Sequence, residues 1–450
     1  MSYIKTDYLK KNIERLAIVF LVCYIAMPQY FGVELPFFDF TVQRIMVVVF
    51  LLIIIEKKKR LFEIYSIVRN CKFYIVMTIY LLICLMTGVR RGHVGSFAYP
   101  LMEFVAFFIT IYIFINVLGK KRTIKTMIVI IYVLCILGCI EFVMRQSPFV
   151  YLETIKGVRS NAMIRSGAYR IMGPAGHSLA YGLMLNSFII IACVDFEEDK
   201  IDLLKNKLLL LLLVINVFLT GSRSTLAIMF LELGLLFLFS DIQTKKRTGL
   251  YLFAFVVVLA LIIIIFYNTS LSRYILLQIT SVIDEAFDTT YSIKYGADVT
   301  TLSNSSSYRE ILPRIFTIES LNPLLGRGSG YHFTWYVDGV SIKSIDNFYV
   351  AEYIRYAYPG LIAYILMIIV PFISMVKDYI KYKSGISMAM ACGLVCYYFN
   401  LWYMDHLQTL KYAYLLIAIY YSFRNCGRTN ENSIDANLNK EKKLFKFIKK

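Results

Sequence analysis

The chain has 450 residues, of which 58% are hydrophobic and 17% charged, and its formal net charge is +18. A soluble globular domain is roughly 45–50% apolar and about a quarter charged, so the composition excludes a soluble enzyme, a disordered chain and a disulfide scaffold. The apolar excess falls in about a dozen runs, each near the roughly 20 residues a helix needs to cross a bilayer core. That pattern reads as an all-α polytopic membrane protein.

The runs predict twelve spans, near 16–35, 41–55, 73–88, 98–118, 125–142, 177–194, 208–220, 224–240, 249–267, 347–376, 386–401 and 409–423. Lys5, Lys10, Lys11 and Arg15 precede the first, which continues as a full span, so no cleavable signal peptide is expected. With the N-terminus inside, segments 1–15, 56–72, 119–125, 195–207, 241–248, 377–385 and 424–450 face the cytoplasm. They hold 31 of the 48 Lys and Arg, and the opposite segments hold 14. The excess of cations inside places both termini in the cytoplasm, and the net charge reads as a topogenic signal rather than a sign of a nucleic-acid partner. All nine cysteines fall in spans or cytoplasmic loops, so no extracytoplasmic disulfide is expected. Cys392 and Cys396, one turn apart in a span, read as packing.

Two outside loops, 143–176 and 268–346, exceed what a connection needs. In the second, Thr300–Ser307 is polar and expected to be flexible, while 271–287 and 308–321 are expected as two short surface helices, the latter bent at Pro313. The tail 424–450 ends in a basic-aromatic run suited to anionic lipid heads. The chain thus divides into an N-terminal bundle (1–142), a core with the large loop (143–376), a C-terminal pair of spans (377–423) and a basic tail (424–450).

The two faces differ in kind. The inside segments carry 24 Lys and 7 Arg, the outside ones 3 Lys and 11 Arg. Cations that must be translocated work against topology, and guanidinium offers a planar fork for phosphate or carboxylate. Some of these arginines pair with loop acids such as Glu153, Asp284 or Glu310; the surplus, including Arg165, Arg170, Arg223, Arg309, Arg314 and Arg327, points to an anionic substrate handled outside. The four histidines (His93, His177, His332, His406) all map outside but share no ligand spacing, so no metal is expected. Gly326-Arg-Gly-Ser-Gly330 lacks the Gly-Lys-Ser/Thr ending of a nucleotide loop and reads as a tight turn.

Three constellations can carry chemistry. Arg165-Ser-Gly-Ala-Tyr-Arg170-Ile-Met-Gly-Pro-Ala-Gly-His177 places two arginines and a glycine-rich turn just before a span, where backbone N–H groups and Arg170 could meet an oxyanion. Thr220-Gly-Ser-Arg223 sets a cation at a helix N-terminus, against the dipole unless an anion sits there. Ser344-Ile-Asp346-Asn347-Phe-Tyr opens a span, where Asp346 could equally be a helix cap, and Glu352 and Arg355, three apart, are expected to pair.

On these residues the chain resembles the bacterial O-antigen ligase and polymerase superfamily, which includes lipid-linked repeat-unit polymerases (Wzy type) and lipopolysaccharide O-antigen ligases. The matching pieces are Arg170-x-x-Gly-Pro with the small-residue run to Gly182, Thr220-x-Ser-Arg223, Asn322-Pro-Leu-Leu-Gly-Arg-Gly-Ser-Gly330, and Asp346-Asn-Phe-Tyr-x-x-Glu-Tyr followed by Tyr358-Pro-Gly-Leu361. The ordered set covers about 170–375; the first five spans add only a compatible topology. The resemblance implies a glycosyltransferase, without metal or other cofactor, at the outer face of the bacterial cytoplasmic membrane. Its donor would be an O-antigen or capsular oligosaccharide on undecaprenyl pyrophosphate. Membrane lipids, a flippase and a chain-length regulator are the further partners implied.

Family arginines that hold the pyrophosphate map onto Arg170 and Arg223. Asp346-Asn347 stands where ligases have His-Asn, so the base would be the Asp346 carboxylate, with His332 as rival and Asn347 beside the substrate. A ligase passing finished glycan to a lipid or other acceptor shares these motifs. A flippase would also have about twelve spans, but with more charges deep in the spans and symmetric halves.

Overall fold

The computed structural model describes residues 2–35, 38–161, 163–165, 168–267, 269–287, 289–297, 311–331, 333–337, 340–342, 345–405 and 409–424. Arg309, His332, His406, Glu310, the Thr300–Ser307 stretch and the tail beyond Arg424 lie outside them.

The described chain is mostly helical. In order it runs α1 Ser2–Ala26, α2 Val42–Ile55, α3 Lys58–Asn70, α4 Phe73–Arg91, α5 Gly95–Tyr112, a π-helical segment Ile113–Leu118, and α6 Gly119–Met144. There follow α7 Ser178–Ala192, α8 Lys207–Leu219, α9 Arg223–Phe239, α10 Ile242–Ile265, α11 Ser270–Phe287, α12 Phe348–Tyr382, α13 Gly385–Asn400 and α14 Leu410–Phe423. Among the described residues four short antiparallel hairpins decorate the connections; the first pairs β1 (Gly32–Val33) with β2 (Phe40–Thr41), and the one that matters below pairs β3 (Met163–Arg165) with β4 (Ala168–Arg170), Met163 opposite Arg170.

Among the described residues four stretches are long and apolar enough to cross a membrane: α4, Gly95–Met144, α10 and α12. Five further apolar helices, α2, α7, α8, α13 and α14, have 13 to 16 residues; each rises only ~20–24 Å against a hydrocarbon core of ~30 Å. The fold is compatible with an all-α membrane protein.

Several expectations need adjusting. The first helix begins at Ser2 and stops at Ala26 rather than running to residue 35, because Pro28 disfavours helical backbone at Met27. Lys120–Lys125, expected as a loop, is already helical, with the break compressed into Gly119 at φ 71°. Of the surface helix expected over 308–321, the described part holds one 3-10 helix, Leu312–Thr317. Pro313 opens that helix instead of bending it, since a first-turn proline lacks an N–H that would have no partner anyway. Residues 271–287 do form a helix, α11.

The main core gathers side chains from α1 to α9 and α12 to α14. Its densest element is α7, buried on every side, and at Gly182 an added Cβ would lie 2.6 Å from Thr225 Oγ1 of α9, so the small residue sets that close approach. A second apolar cluster, with Leu312, Ile315, Leu321 and Phe333, seats the large loop on the start of α12 through Val350, Tyr353 and Ile354.

Hydrogen bonds sort the connections into two ends. At one, Thr154 N donates to Tyr30 O (3.1 Å), Ser160 N to Gly176 O (2.9 Å), Ile171 N to Leu219 O (3.2 Å) and Phe348 N to Leu401 O (3.0 Å). At the other, Gly385 N donates to Asp199 O (3.0 Å), Arg247 to Asp202 (2.5 Å) and Arg122 pairs with Glu14. We call these the arginine-rich and lysine-rich ends.

Candidate functional site

Two clusters stand at the arginine-rich end. The first joins the Arg170 and Thr220–Arg223 motifs. Arg170, 9% exposed at the end of β4, donates from Nε to the Thr220 carbonyl (2.8 Å). Its stem lies across Gly221, whose φ of +57° turns the chain and whose missing Cβ would sit 3.1 Å from Arg170 Cγ. Ser222 then caps α9, accepting from Thr225 N (3.4 Å), so that half-buried Arg223 is the first helical residue. A cation there opposes the helix dipole and favours an anion as neighbour.

The brace of this cluster is Glu141, in the last turn of α6 and fully buried. Its Oε1 accepts from Met172 N (2.7 Å) and Tyr169 OH (3.1 Å), and its Oε2 from Gly173 N (3.0 Å). The carboxylate therefore fixes the backbone that follows Arg170 and, through the Tyr169 hydroxyl, the side chain that precedes it. Nearby, Tyr274 of α11 donates to Phe218 O (2.9 Å). Burial pushes the Tyr274 hydroxyl up to about 12, with the Arg170 charge pulling the other way, so it is a neutral donor. His177 caps α7, its Nδ1 accepting from Leu179 N (3.2 Å), which leaves the ring proton on Nε2 in the neutral tautomer.

The second cluster is built around the break in α12. Pro359 has no N–H, and its ring excludes the carbonyl four residues back, that of Arg355. Ala357 takes up the break at φ 56°, ψ −165°, a conformation that costs a non-glycine residue of order 1–3 kcal/mol. The carbonyls so released are satisfied by the glycine-rich loop: Arg327 N donates to Ile354 O (2.8 Å) and Gly328 N to Arg355 O (2.9 Å). Gly326 passes so close to Arg355 O that any Cβ would collide, and Arg91 Nε donates to Gly326 O (2.8 Å). The Arg327 guanidinium donates to Ser320 O (2.7 Å) and lies over Tyr331. This loop fastens a helix break.

Arg355 grips Asp405 with both Nη atoms, Nη1 to Oδ1 at 3.2 Å. The expected partner Glu352 does pair with Arg355, at 3.9 Å between Oε2 and Nη1, while its Oε1 accepts from Tyr80 OH (2.5 Å). Asp405 takes the two-point contact, which is the stronger, charge-assisted form of an arginine–carboxylate pair. Burial pushes the Asp405 carboxyl up, Arg355 opposes this, and the adjacent Asp346 carboxylate adds to the rise.

Capping falls to Asn347, not Asp346: the Asn347 Oδ1 accepts from Tyr349 N (3.0 Å) and Val350 N (3.2 Å) and is buried. Asp346 stays exposed at the mouth of the helix.

Of the other expected site residues, Arg165 lies in β3 opposite Ala168, and Arg314 is exposed on the 3-10 helix. Among the expected ion pairs, Arg159 binds Glu153 (2.7 Å), while Asp284 accepts from Thr289 Oγ1 and from Tyr291 N and Ser292 N. Glu141, Asp405, Tyr80 and Tyr274 were not singled out from the sequence. A glutamate one residue from the predicted end of a span was the one available signal. Among the described residues no three His, Cys, Asp or Glu side chains stand together as metal ligands.

No protein-family model matches the chain, and no curated protein matches it at a significant level. The fold defines a class, a helical protein with apolar helices of membrane-crossing length, and the site adds buried and half-buried arginines at one end of the bundle.

Proposed function

We propose that the protein is a polysaccharide polymerase that joins oligosaccharide repeat units carried on undecaprenyl pyrophosphate, of O-antigen or capsular type. In this reading twelve spans place the arginine-rich end at the outer face of the bacterial cytoplasmic membrane. The observation that carries the reading is Arg170 laid across the Thr220–Gly221 turn, with Arg223 two residues on and Glu141 bracing the backbone between them.

The chemistry follows from what such a donor needs. An acceptor hydroxyl oxygen bonds to the anomeric carbon as the bond from that carbon to the phosphate oxygen breaks, and undecaprenyl pyrophosphate leaves with the electron pair. Arg170 and Arg223 meet the charge that develops on the bridging oxygen, a contribution of about 10²–10³ in rate for each donor. Asp346, relieved of capping by Asn347, takes the hydroxyl proton. A sugar already bonded to pyrophosphate is activated, so the reaction calls for no nucleotide at this face.

The test compares glycan length in membranes carrying the cognate lipid-linked repeat unit, for wild type, Arg170→Ala, Arg223→Ala and Asp346→Asn at matched protein levels. The expected result is a ladder in wild type that collapses to single units in the variants. Long chains that fail to reach their final acceptor would make the protein a ligase, and units trapped on the cytoplasmic face would make it a flippase.

A further inference from the structure

A cavity of about 220 Å³ opens at the lysine-rich end, remote from the arginine clusters, between the middle of α1 and the first two turns of α6. Lys11, Arg15, Arg122 and Lys125 line it with a single carboxylate, Glu14, which pairs with Arg122 and so ties the two helices together. Ile18 and Leu118 form its apolar wall. Among the described residues Arg15 and Lys125 add positive charge beside the Arg122–Glu14 pair, whereas the Asp195–Lys205 and Asp202–Arg247 pairs at the same end match charge for charge.

The helix registers continue this arrangement. On α6, Arg122, Lys125, Thr126, Val129, Val133, Ile136 and Ile140 share one face by their three- and four-residue spacing. Val129, Val133, Ile136 and Ile140 are exposed by 53%, 51%, 50% and 41%. On α1 the cavity residues Lys11, Glu14, Arg15 and Ile18 recur at the same spacing, and Ile18 and Val19 are exposed. The cationic cavity is thus the head of an apolar stripe that runs toward the middle of the bundle.

We infer that this cavity binds the phosphate head of an anionic phospholipid, whose acyl chains lie along the apolar faces of α1 and α6. The volume is below the ~300–1,000 Å³ typical of whole-ligand pockets, which suits a head that leaves its chains outside. Basic pockets between helices at a bilayer boundary recognise such heads. A free phosphate offers the same charge but has no use for the stripe. The inference stands apart from the polymerase reading, since none of its residues belongs to either arginine cluster.

The full-length protein is released from phosphatidylcholine nanodiscs, with and without phosphatidylglycerol, and its retained lipids are weighed by native mass spectrometry. Wild type should keep a phosphatidylglycerol adduct that inorganic phosphate does not displace. Arg15→Gln with Lys125→Gln should weaken retention by roughly fivefold for each cation removed, hence about thirtyfold together. Lys58→Gln with Lys121→Gln, which removes the same charge at this end but outside the cavity, should retain lipid as wild type does. Equal retention by the cavity double variant would overturn the inference, as would equal loss in the control. Displacement by inorganic phosphate would overturn the lipid assignment in favour of a soluble anion.

Discussion

Arg170 and Arg355 sit at the same end of the bundle, yet their surroundings differ. Arg355 is held by two carboxylates, Asp405 in a two-point grip and Glu352 at 3.9 Å, and serves as a clasp between α12 and the turn after α13. Arg170 donates to a turn carbonyl, and the acid of its neighbourhood, Glu141, directs its oxygens to Met172 N, Gly173 N and Tyr169 OH. At Arg355 the carboxylate of Asp405 takes the guanidinium and the pair is a fastening, whereas Glu141 gives its oxygens to the turn that follows Arg170. In the proposed reaction that braced turn holds the Arg170 guanidinium toward an anion from outside.

Each side of that contrast can be broken separately. Arg170→Ala should slow chain extension by about 10²–10³, far more than the loss of about 1 kcal/mol from its bond to the Thr220 carbonyl accounts for, measured as glycan length against folded protein. Arg355→Ala should do the reverse. It leaves partly buried Asp405 without its partner, at a cost of about 2 kcal/mol, and adding Asp405→Ala should recover most of the loss. Lost chain extension in Arg355→Ala at normal folded levels would erase the distinction.

Glu141→Gln tests the brace. The amide cannot accept from all three donors, which should cost about 2 kcal/mol and lower extension at unchanged Arg170. Asn347→Ala removes a cap worth about 1 kcal/mol, read in detergent-solubilised thermal unfolding, and should leave the role of Asp346 intact.

The smallest expected effect is a pH response. Burial pushes the Asp284 carboxyl up, but bonds from Ser292, Thr289 and the backbone of 291–292 outweigh it and leave it below its ordinary value. Its contribution is therefore present above the usual carboxylate range and fades as pH falls through the lower folded value. Hydrogen exchange at 289–292 should quicken on acidification, and Asp284→Asn should remove that dependence.

Helix positions were legible wherever apolar runs were bounded by turn residues: 208–220 became Lys207–Leu219, and 409–423 became Leu410–Phe423. The motif turns were legible for the same local reason, since Gly221 and the glycines from Gly326 to Gly330 mark tight or close-packed backbone. Partnerships were not. Asp405 lies 50 residues from Arg355, Glu141 about 30 from the turn it braces, and Tyr80 272 from Glu352. Nothing in local spacing ties such residues together, because the bundle's packing alone brings them into reach. The choice between Asp346 and Asn347 as cap also escaped the sequence. Both are good caps, and only the backbone at the start of α12 decides.

The most direct test of the central claim is reconstitution of the purified chain in proteoliposomes with its lipid-linked repeat unit, following chain length and released undecaprenyl pyrophosphate together. One pyrophosphate carrier should be released per unit added, and both signals should be lost in Arg170→Ala while Arg355→Ala with Asp405→Ala retains them. Extension that proceeds unchanged without the Arg170 guanidinium would contradict the claim.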